Sequence, residues 1–224
     1  WHIMKIYSYY GYNEFILCLG YKGYLVKEYF SNYLLHQSDI TIDIKDNKIE
    51  VHNNHTEPWQ VTLIDTGEDI MTCGRVKRIR KYLHDDTFML TYGDGVGDIN
   101  IKNLVSFHKL HGKLVTVTSS QPKGRFGTIK TDKKNIVRVF QEKPMDNSVW
   151  INSGFFVMEP GIFDYIDGDN TILEKQTLSN LTKEGQLVAF KHEGFWKPMD
   201  TLRDKAELES LWHSKAPPWK VWSG

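Results

Sequence analysis

The sequence is short of the features that mark several protein classes. Two cysteines, Cys18 and Cys73, stand in 224 residues, which argues against a disulfide framework and fits a reducing compartment. No apolar run reaches the length of a transmembrane helix and no signal peptide is present, so the chain reads as a cytoplasmic, globular protein. A net charge of one sign is missing too. The 28 basic and 28 acidic residues cancel, and nothing in that balance implies nucleic acid or a membrane surface. No internal repeat or low-complexity linker divides the chain. The nine histidines lack metal-ligand spacing, and His108 and His111, three apart on a helix, read as a surface pair. What is present is 40% hydrophobic and 13% aromatic residues, enough for one domain, residues 1–224, with a sizeable core.

Strand-like runs over 14–19, 60–64, 87–91, 113–119, 127–131, 136–141, 150–158 and 186–191 alternate early with helical patterns near 22–35, 75–83 and 100–111, with a C-terminal helix near 201–213. The pattern is α/β. Its first half predicts strand–helix units of a doubly wound, mostly parallel sheet, with ligands beyond the carboxyl ends of the strands. Over 38–58, the alternation of Ile40, Ile42 and Ile44, then Ile49 and Val51 past Asp46-Asn47, predicts a protruding β-hairpin insertion.

Two carboxylates sit in turns that each follow a strand-like run: Asp94 in Tyr92-Gly93-Asp94-Gly95, and Asp200 in Met199-Asp200-Thr201. Glycines around Asp94 allow close approach of backbone or substrate. Thr201, with Asp204 three residues on, predicts a capped helix start that fixes Asp200. Two carboxylates plus substrate phosphates are the usual ligand set of Mg²⁺. Either turn alone is also compatible with ordinary turn chemistry.

Further pieces lie between and before them. Phe140-Gln141-Glu142-Lys143-Pro144 closes a β-run and would deliver Lys143 as a fixed positive charge suited to a phosphate, or as a solvated edge lysine. Gly124-Arg125-Phe126-Gly127 and Asn152-Ser153-Gly154 place glycine and polar groups beside strands, as a ligand contact, a hairpin turn or a bulge would. Near Thr72-Cys73-Gly74-Arg75 a helix begins, where free N–H groups and the Arg75 fork favour an anionic or polar ligand. The basic residues Arg75, Lys77, Arg78, Arg80 and Lys81 are spread around the helix axis and read as a solvated face.

Taken in order, Thr72-Cys73-Gly74-Arg75, Tyr92-Gly93-Asp94-Gly95, Gly124-Arg125-Phe126-Gly127, Glu142-Lys143-Pro144, Asn152-Ser153-Gly154 and Met199-Asp200-Thr201 resemble the sugar-1-phosphate nucleotidyltransferases. Gly-Arg-Phe-Gly, Glu57-Pro58-Trp59 before Asp65-Thr66-Gly67, and Ala216-Pro217-Pro218-Trp219-Lys220 resemble the cytidylyl-transferring branch. The resemblance runs the whole length and implies a Rossmann-like nucleotidyltransferase fold. It implies cytidylyl transfer from CTP to glucose 1-phosphate, with Mg²⁺ held by Asp94 and Asp200 and with Lys143 on the sugar phosphate. It also implies Glu142, Asn152 and Gly154 on sugar hydroxyls, Gly127 against the sugar nucleotide, Gly93 among the substrate contacts, and Thr72, Gly74 and Arg75 lining the cytosine nucleotide pocket.

Cys73, Ser153 and Lys123 depart from the family's usual glycine, glycine and proline. The family also begins with a strand and a glycine-rich phosphate loop, whereas this chain opens at Trp1-His2-Ile3-Met4 on a helix. The expectation is therefore a fragment that lacks that strand and loop and is inactive as it stands. In the family the hairpin insertion helps subunits assemble, so a homo-oligomer is expected. Transfer from UTP or dTTP, or a non-catalytic sugar-nucleotide-binding module, are the alternatives.

Overall fold

The structure, a computed structural model, describes residues 1–121, 128–141 and 149–223. In chain order the first half contains α1 (His2–Tyr9), β1 (Glu14–Leu19), α2 (Gly23–Ser31), α3 (Tyr33–His36), β2 (Ser38–Asp43), β3 (Lys48–Asn54), β4 (Gln60–Asp65) and α4 (Thr72–Arg78). The second half contains β5 (Phe88–Thr91), β6 (Gly95–Gly97), α5 (Ile101–His111), β7 (Val115–Ser120), β8 (Thr128–Thr131), β9 (Val137–Gln141), β10 (Ile151–Met158), α6 (Leu178–Lys183), β11 (Leu187–His192), β12 (Trp196–Pro198) and α7 (Leu202–Trp212). No helix among the described residues is long and apolar enough to cross a membrane.

The elements fall into two compact units. One comprises Trp1–Tyr10, Asp86–Ile162 and Leu181–Gly224; the other comprises Gly11–Asp85 and Phe163–Asn180. The first unit is built on a four-stranded sheet in the order β11-β7-β10-β5. β11 and β7 are parallel, and β10 runs antiparallel to both β7 and β5, so three strands share a direction and one opposes them. Phe155, Phe156, Val157 and Met158 of β10 are fully buried, as strands covered on both faces must be, and they form the core with Val115, Ile99, Ile101 and Leu104.

α5 starts at Asn100, whose side chain accepts from the Asn103 amide at 2.9 Å, and ends at Gly112 in the left-handed region (φ 63°). His108 lies on its inner face and is buried, correcting the reading of a surface histidine pair. A chain of contacts explains how an imidazole is accommodated there. The Lys113 amide donates to His111 Nδ1 (3.0 Å), and His111 Nε2 lies 2.7 Å from Thr116 Oγ1. His108 Nδ1 lies 2.8 Å from the same oxygen, and His108 Nε2 is 3.0 Å from Glu159 Oε1. His111 Nδ1 accepts, so neutral His111 must donate through Nε2. The Thr116 hydroxyl then donates to His108 Nδ1, and His108 donates to the carboxylate. Each proton has one place to go, and this chain lies at the end of the sheet away from Asp94.

The carboxyl-terminal aromatics close the same unit. Trp219 is almost fully buried, its indole N–H reaches His2 Nδ1 at 3.3 Å, and Trp1, Trp212 and Trp222 surround His2. The Pro-Pro-Trp segment therefore anchors α1 through packing.

In the second unit β1 and β4 pair in parallel from Glu14↔Gln60 to Leu19↔Asp65. β2 and β3 form the expected hairpin, with Ile42 opposite Ile49 and Ile40 opposite Val51 on one face and Thr41 opposite Glu50 on the other.

Candidate active site

The turn that holds Asp94 is fixed from several directions within the first unit. Thr91, the last residue of β5, is hydrogen-bonded through its hydroxyl to the phenol of buried Tyr7, which stacks on Phe155. Burial pushes the Tyr7 phenol far above its ordinary range, so it stays a neutral anchor. The Tyr92 amide then donates to the Gly154 carbonyl at 2.9 Å.

Beyond the turn, β6 pairs antiparallel with β12, Gly95 opposite Pro198 and Gly97 opposite Trp196. The Met199 amide extends that ladder by donating to the Asp94 carbonyl at 2.6 Å. The ladder thus sets Asp94 beside Met199-Asp200, and the two carboxylates that are about a hundred residues apart in the chain emerge from neighbouring strand ends, both exposed.

Asp200 is followed by the predicted helix start. The Thr201 hydroxyl accepts from the Asp204 amide (3.2 Å), and the Thr201 amide donates to Asp204 Oδ2 (3.1 Å), completing a capping box. These bonds, with Lys197 alongside, hold the Asp204 carboxyl below its ordinary range, so it stays ionised as a cap. At the far end of the ribbon the Asp98 amide donates to the Phe195 carbonyl (3.1 Å), and His192 Nε2 sits 3.1 Å from that carbonyl and 3.0 Å from Asp98 Oδ1. Asp98 Oδ1 is buried there without a directed hydrogen bond.

Among the described residues no cluster of three or more His, Cys, Asp or Glu could form an all-protein metal cage. A pair of exposed carboxylates on adjoining strand ends instead fits an ion such as Mg²⁺, which takes one or two carboxylates and completes its octahedron with water and substrate phosphate.

Asn152, Ser153 and Gly154 form the bulge that was one reading of that stretch. The β10–β7 register shifts between Asn152 and Phe156, and Gly154 adopts φ 74°. A Cβ on Gly154 would also lie 2.9 Å from the Tyr92 ring. Asn152 is exposed, and its side-chain oxygen accepts from the Gly154 amide at 2.8 Å. Ser153 is turned inward, its hydroxyl bonded to Ser120 at 2.9 Å. Gly93 is different. A Cβ there would meet nothing within 4 Å, so open space lies over the backbone next to Asp94.

The nucleotide-side residues lie in the second unit. The expectation of open N–H groups at the start of α4 is corrected, because the loop following Ile166 covers it. The Met71 amide donates to the Asp169 carbonyl (3.0 Å) and the Cys73 amide to the Thr171 carbonyl (3.2 Å), while Thr72 Oγ1 accepts from the Leu173 amide (3.3 Å). Gly74 is required by this packing, since a Cβ would lie 2.6 Å from the backbone of Asp169. Arg75 points back under the ends of β1 and β4. Its guanidinium donates to the Leu19 carbonyl (3.2 Å), Thr66 Oγ1 (2.8 Å), the Gly67 carbonyl (2.8 Å) and the Glu68 carbonyl (3.0 Å).

The neighbouring cations are also engaged. Arg78 forks onto Asp169 at 3.0 and 2.6 Å, and Lys77 donates to the carbonyls of Ile166 and Asp167, both at 2.9 Å. Burial pushes the Cys18 thiol up to about 11 and raises Cys73 as well, so neither is a nucleophile at neutral pH. Gly127, Glu142 and Lys143 lie outside the described residues.

Sequence reasoning missed Tyr7, Trp196 and the loop over α4. Trp196 carried a readable signal, a tryptophan between a strand start and a proline whose indole N–H needs an acceptor. The other two depend on contacts between segments far apart in the chain.

The chain belongs to the nucleotidyl transferase family, whose model matches residues 21–212. Within it, the chain is 53% identical over 223 residues to the glucose-1-phosphate cytidylyltransferase of Salmonella typhimurium, covering 99% of this chain and 86% of that protein. Solved structures share the fold at low identity. HddC from Yersinia pseudotuberculosis superposes with a TM-score of 0.64 at 19% identity, over 91% of this chain and 80% of that one. A UDP-glucose pyrophosphorylase complexed with UDP-glucose gives 0.64 at 11%, over 96% and 86%.

Proposed function

We propose that the chain transfers the cytidylyl group of CTP to glucose 1-phosphate, forming CDP-glucose and releasing pyrophosphate, as one nucleotidyltransferase domain. The observation that carries the chemistry is the β6–β12 ladder, which joins the Asp94 carbonyl to the Met199 amide, one residue before Asp200. Identity of 53% to a glucose-1-phosphate cytidylyltransferase supports the choice of base and sugar.

Asp94 and Asp200 would hold Mg²⁺, which when bound neutralises the facing phosphates of the two substrates. A phosphate oxygen of glucose 1-phosphate bonds to the α-phosphorus of CTP as the bond from that phosphorus to the bridging oxygen breaks, and pyrophosphate carries the electron pair away. The attacking phosphate is already ionised at neutral pH, so no protein nucleophile is required, and the protonated state of both thiols agrees with direct displacement. Lys143 orients the sugar phosphate, while Glu142, Asn152 and Gly154 hold sugar hydroxyls and Gly127 packs on the sugar nucleotide. Gly93 leaves room for substrate beside Asp94. Thr72, Gly74 and Arg75 shape the cytosine nucleotide wall, the last two through the packing and hydrogen bonds described above.

The hairpin exposes Ile42, Ile44, Ile49 and Val51, an apolar surface on a two-stranded element too small to stand alone, and it serves assembly with further copies of this chain. Soluble substrates and two thiols outside any disulfide fit a cytoplasmic setting.

The test measures pyrophosphate release by the complete enzyme with glucose 1-phosphate and each of CTP, UTP and dTTP. Turnover with CTP well above the others is expected. A preference for UTP or dTTP would overturn the choice of base, and no turnover with any triphosphate would overturn the enzymatic reading.

A further inference from the structure

Two consecutive carbonyls of the bulge in β10 are held by two different segments of the first unit. The Gly154 carbonyl accepts from the Tyr92 amide (2.9 Å), two residues before Asp94. The Ser153 carbonyl accepts from the Trp196 indole N–H (2.8 Å), four residues before Asp200. The bulge that carries Asn152 is thus tied separately to the backbone leading to each carboxylate. One tie is made by the main chain, the other by a side chain.

The surroundings of Trp196 fit that task. The ribbon β6–β12 has three residues per strand, too short to keep its geometry unaided. β6 reads Gly95-Val96-Gly97, and the indole lies against both glycines, crowding a side chain at Gly95, while at Gly97 a Cβ would lie 2.8 Å from the Phe195 carbonyl. A Cβ on Gly95 would lie 3.3 Å from Trp196 Nε1, and one on Gly97 would lie 3.4 Å from Trp196 Cδ1. Glycine on one strand and tryptophan on the other therefore make a single joint, locked to the bulge by the indole hydrogen bond.

We propose that Trp196 is a positioning residue that, through the Ser153 carbonyl, fixes the sugar-contacting bulge relative to the ribbon carrying Asp94 and Asp200, so that the divalent cation and the sugar phosphate meet a preformed arrangement. The proposal rests on the roles given above to Asp94, Asp200 and Asn152. When the indole N–H is removed, both segments must be ordered by ligand at binding, and both affinities fall together.

The experiment compares the complete enzyme with Trp196→Phe, and with Trp196 replaced by 3-benzothienylalanine, which keeps the ring shape and puts sulfur in place of the N–H. Mn²⁺ binding is read by electron paramagnetic resonance in the presence of CDP-glucose, alongside the KM values for glucose 1-phosphate and CTP. Loss of one hydrogen bond predicts that the Mn²⁺ dissociation constant and the glucose 1-phosphate KM each rise roughly fivefold, with the CTP KM changed less than about twofold. Wild-type Mn²⁺ affinity and sugar phosphate KM in the benzothienyl variant would overturn the proposal, and so would an equal rise in all three constants. If Trp196→Phe fails to fold, the benzothienyl variant decides. Asp94→Asn in the same assay separates the two claims. Loss of Mn²⁺ binding there with no effect at position 196 defeats only the positioning role, whereas retained binding and turnover defeat the reading of the carboxylates.

Discussion

The Met199 amide donates to the Asp94 carbonyl at 2.6 Å, and this hydrogen bond continues a three-residue ladder to the point where two carboxylates leave neighbouring strands. A main-chain bond sets the spacing, so side-chain changes at Asp94 or Asp200 should alter chemistry without dismantling the turn. Asp200→Asn should leave thermal unfolding within a few degrees of wild type, as for surface substitutions in general. A large drop in Tm would give Asp200 a structural role instead.

Open space over Gly93 makes it a clean probe of substrate approach. Gly93→Ala meets no protein atom, and its effect on folding should be small. If substrate occupies that space, the added methyl should raise a substrate KM or lower kcat roughly tenfold, about 1.4 kcal/mol. Scanning calorimetry alongside steady-state kinetics checks both halves, and unchanged kinetics would remove Gly93 from the substrate contacts.

Arg75 makes the opposite case. Four acceptors from two stretches of chain, Leu19 and Thr66–Glu68, converge on its guanidinium, and a lysine cannot reproduce that fork. Arg75→Lys should destabilise the protein by about 1–3 kcal/mol, as read by urea denaturation. Wild-type stability with weakened CTP binding would make it a direct ligand contact.

A pH dependence follows from the proton chain through His108 and His111. Burial, with smaller contributions from His108 and Lys113, lowers the affinity of His111 for a proton in the folded state. The unfolded chain binds that proton more tightly, so this contribution is fully present above the ordinary histidine value near 6.5 and is lost as pH falls below it toward the lower folded value. Protonation would also place a second donor against the Lys113 amide. Between pH 7.5 and pH 5.5 wild type should lose more stability than His111→Asn, compared by chemical denaturation at each pH. Equal losses would show that His111 does not carry the effect.

Much of this was legible in the sequence because local chemistry sets it. The run Glu14–Leu19 is apolar and β-rich, and it forms β1 at those bounds. Thr201 and Asp204 announce a capping box that the structure contains. Long-range contacts were illegible. His108 looked like a surface residue because its partners Thr116 and Glu159 arrive from a strand and a turn later in the chain. The start of α4 looked open because the carbonyls that cover it belong to residues 169 and 171. The contacts that require glycine at 74 and 154, with the Asp169 backbone and the Tyr92 ring, likewise come from segments distant in the chain.

The most direct test of the central claim is Mg²⁺-dependent turnover of CTP and glucose 1-phosphate by Asp94→Asn in the complete, folded enzyme. If Asp94 and Asp200 form one cation site, turnover should fall at least ~100-fold, the loss of several kcal/mol of transition-state stabilisation, and saturating Mg²⁺ should not restore it. Near wild-type turnover at saturating Mg²⁺ would contradict the account.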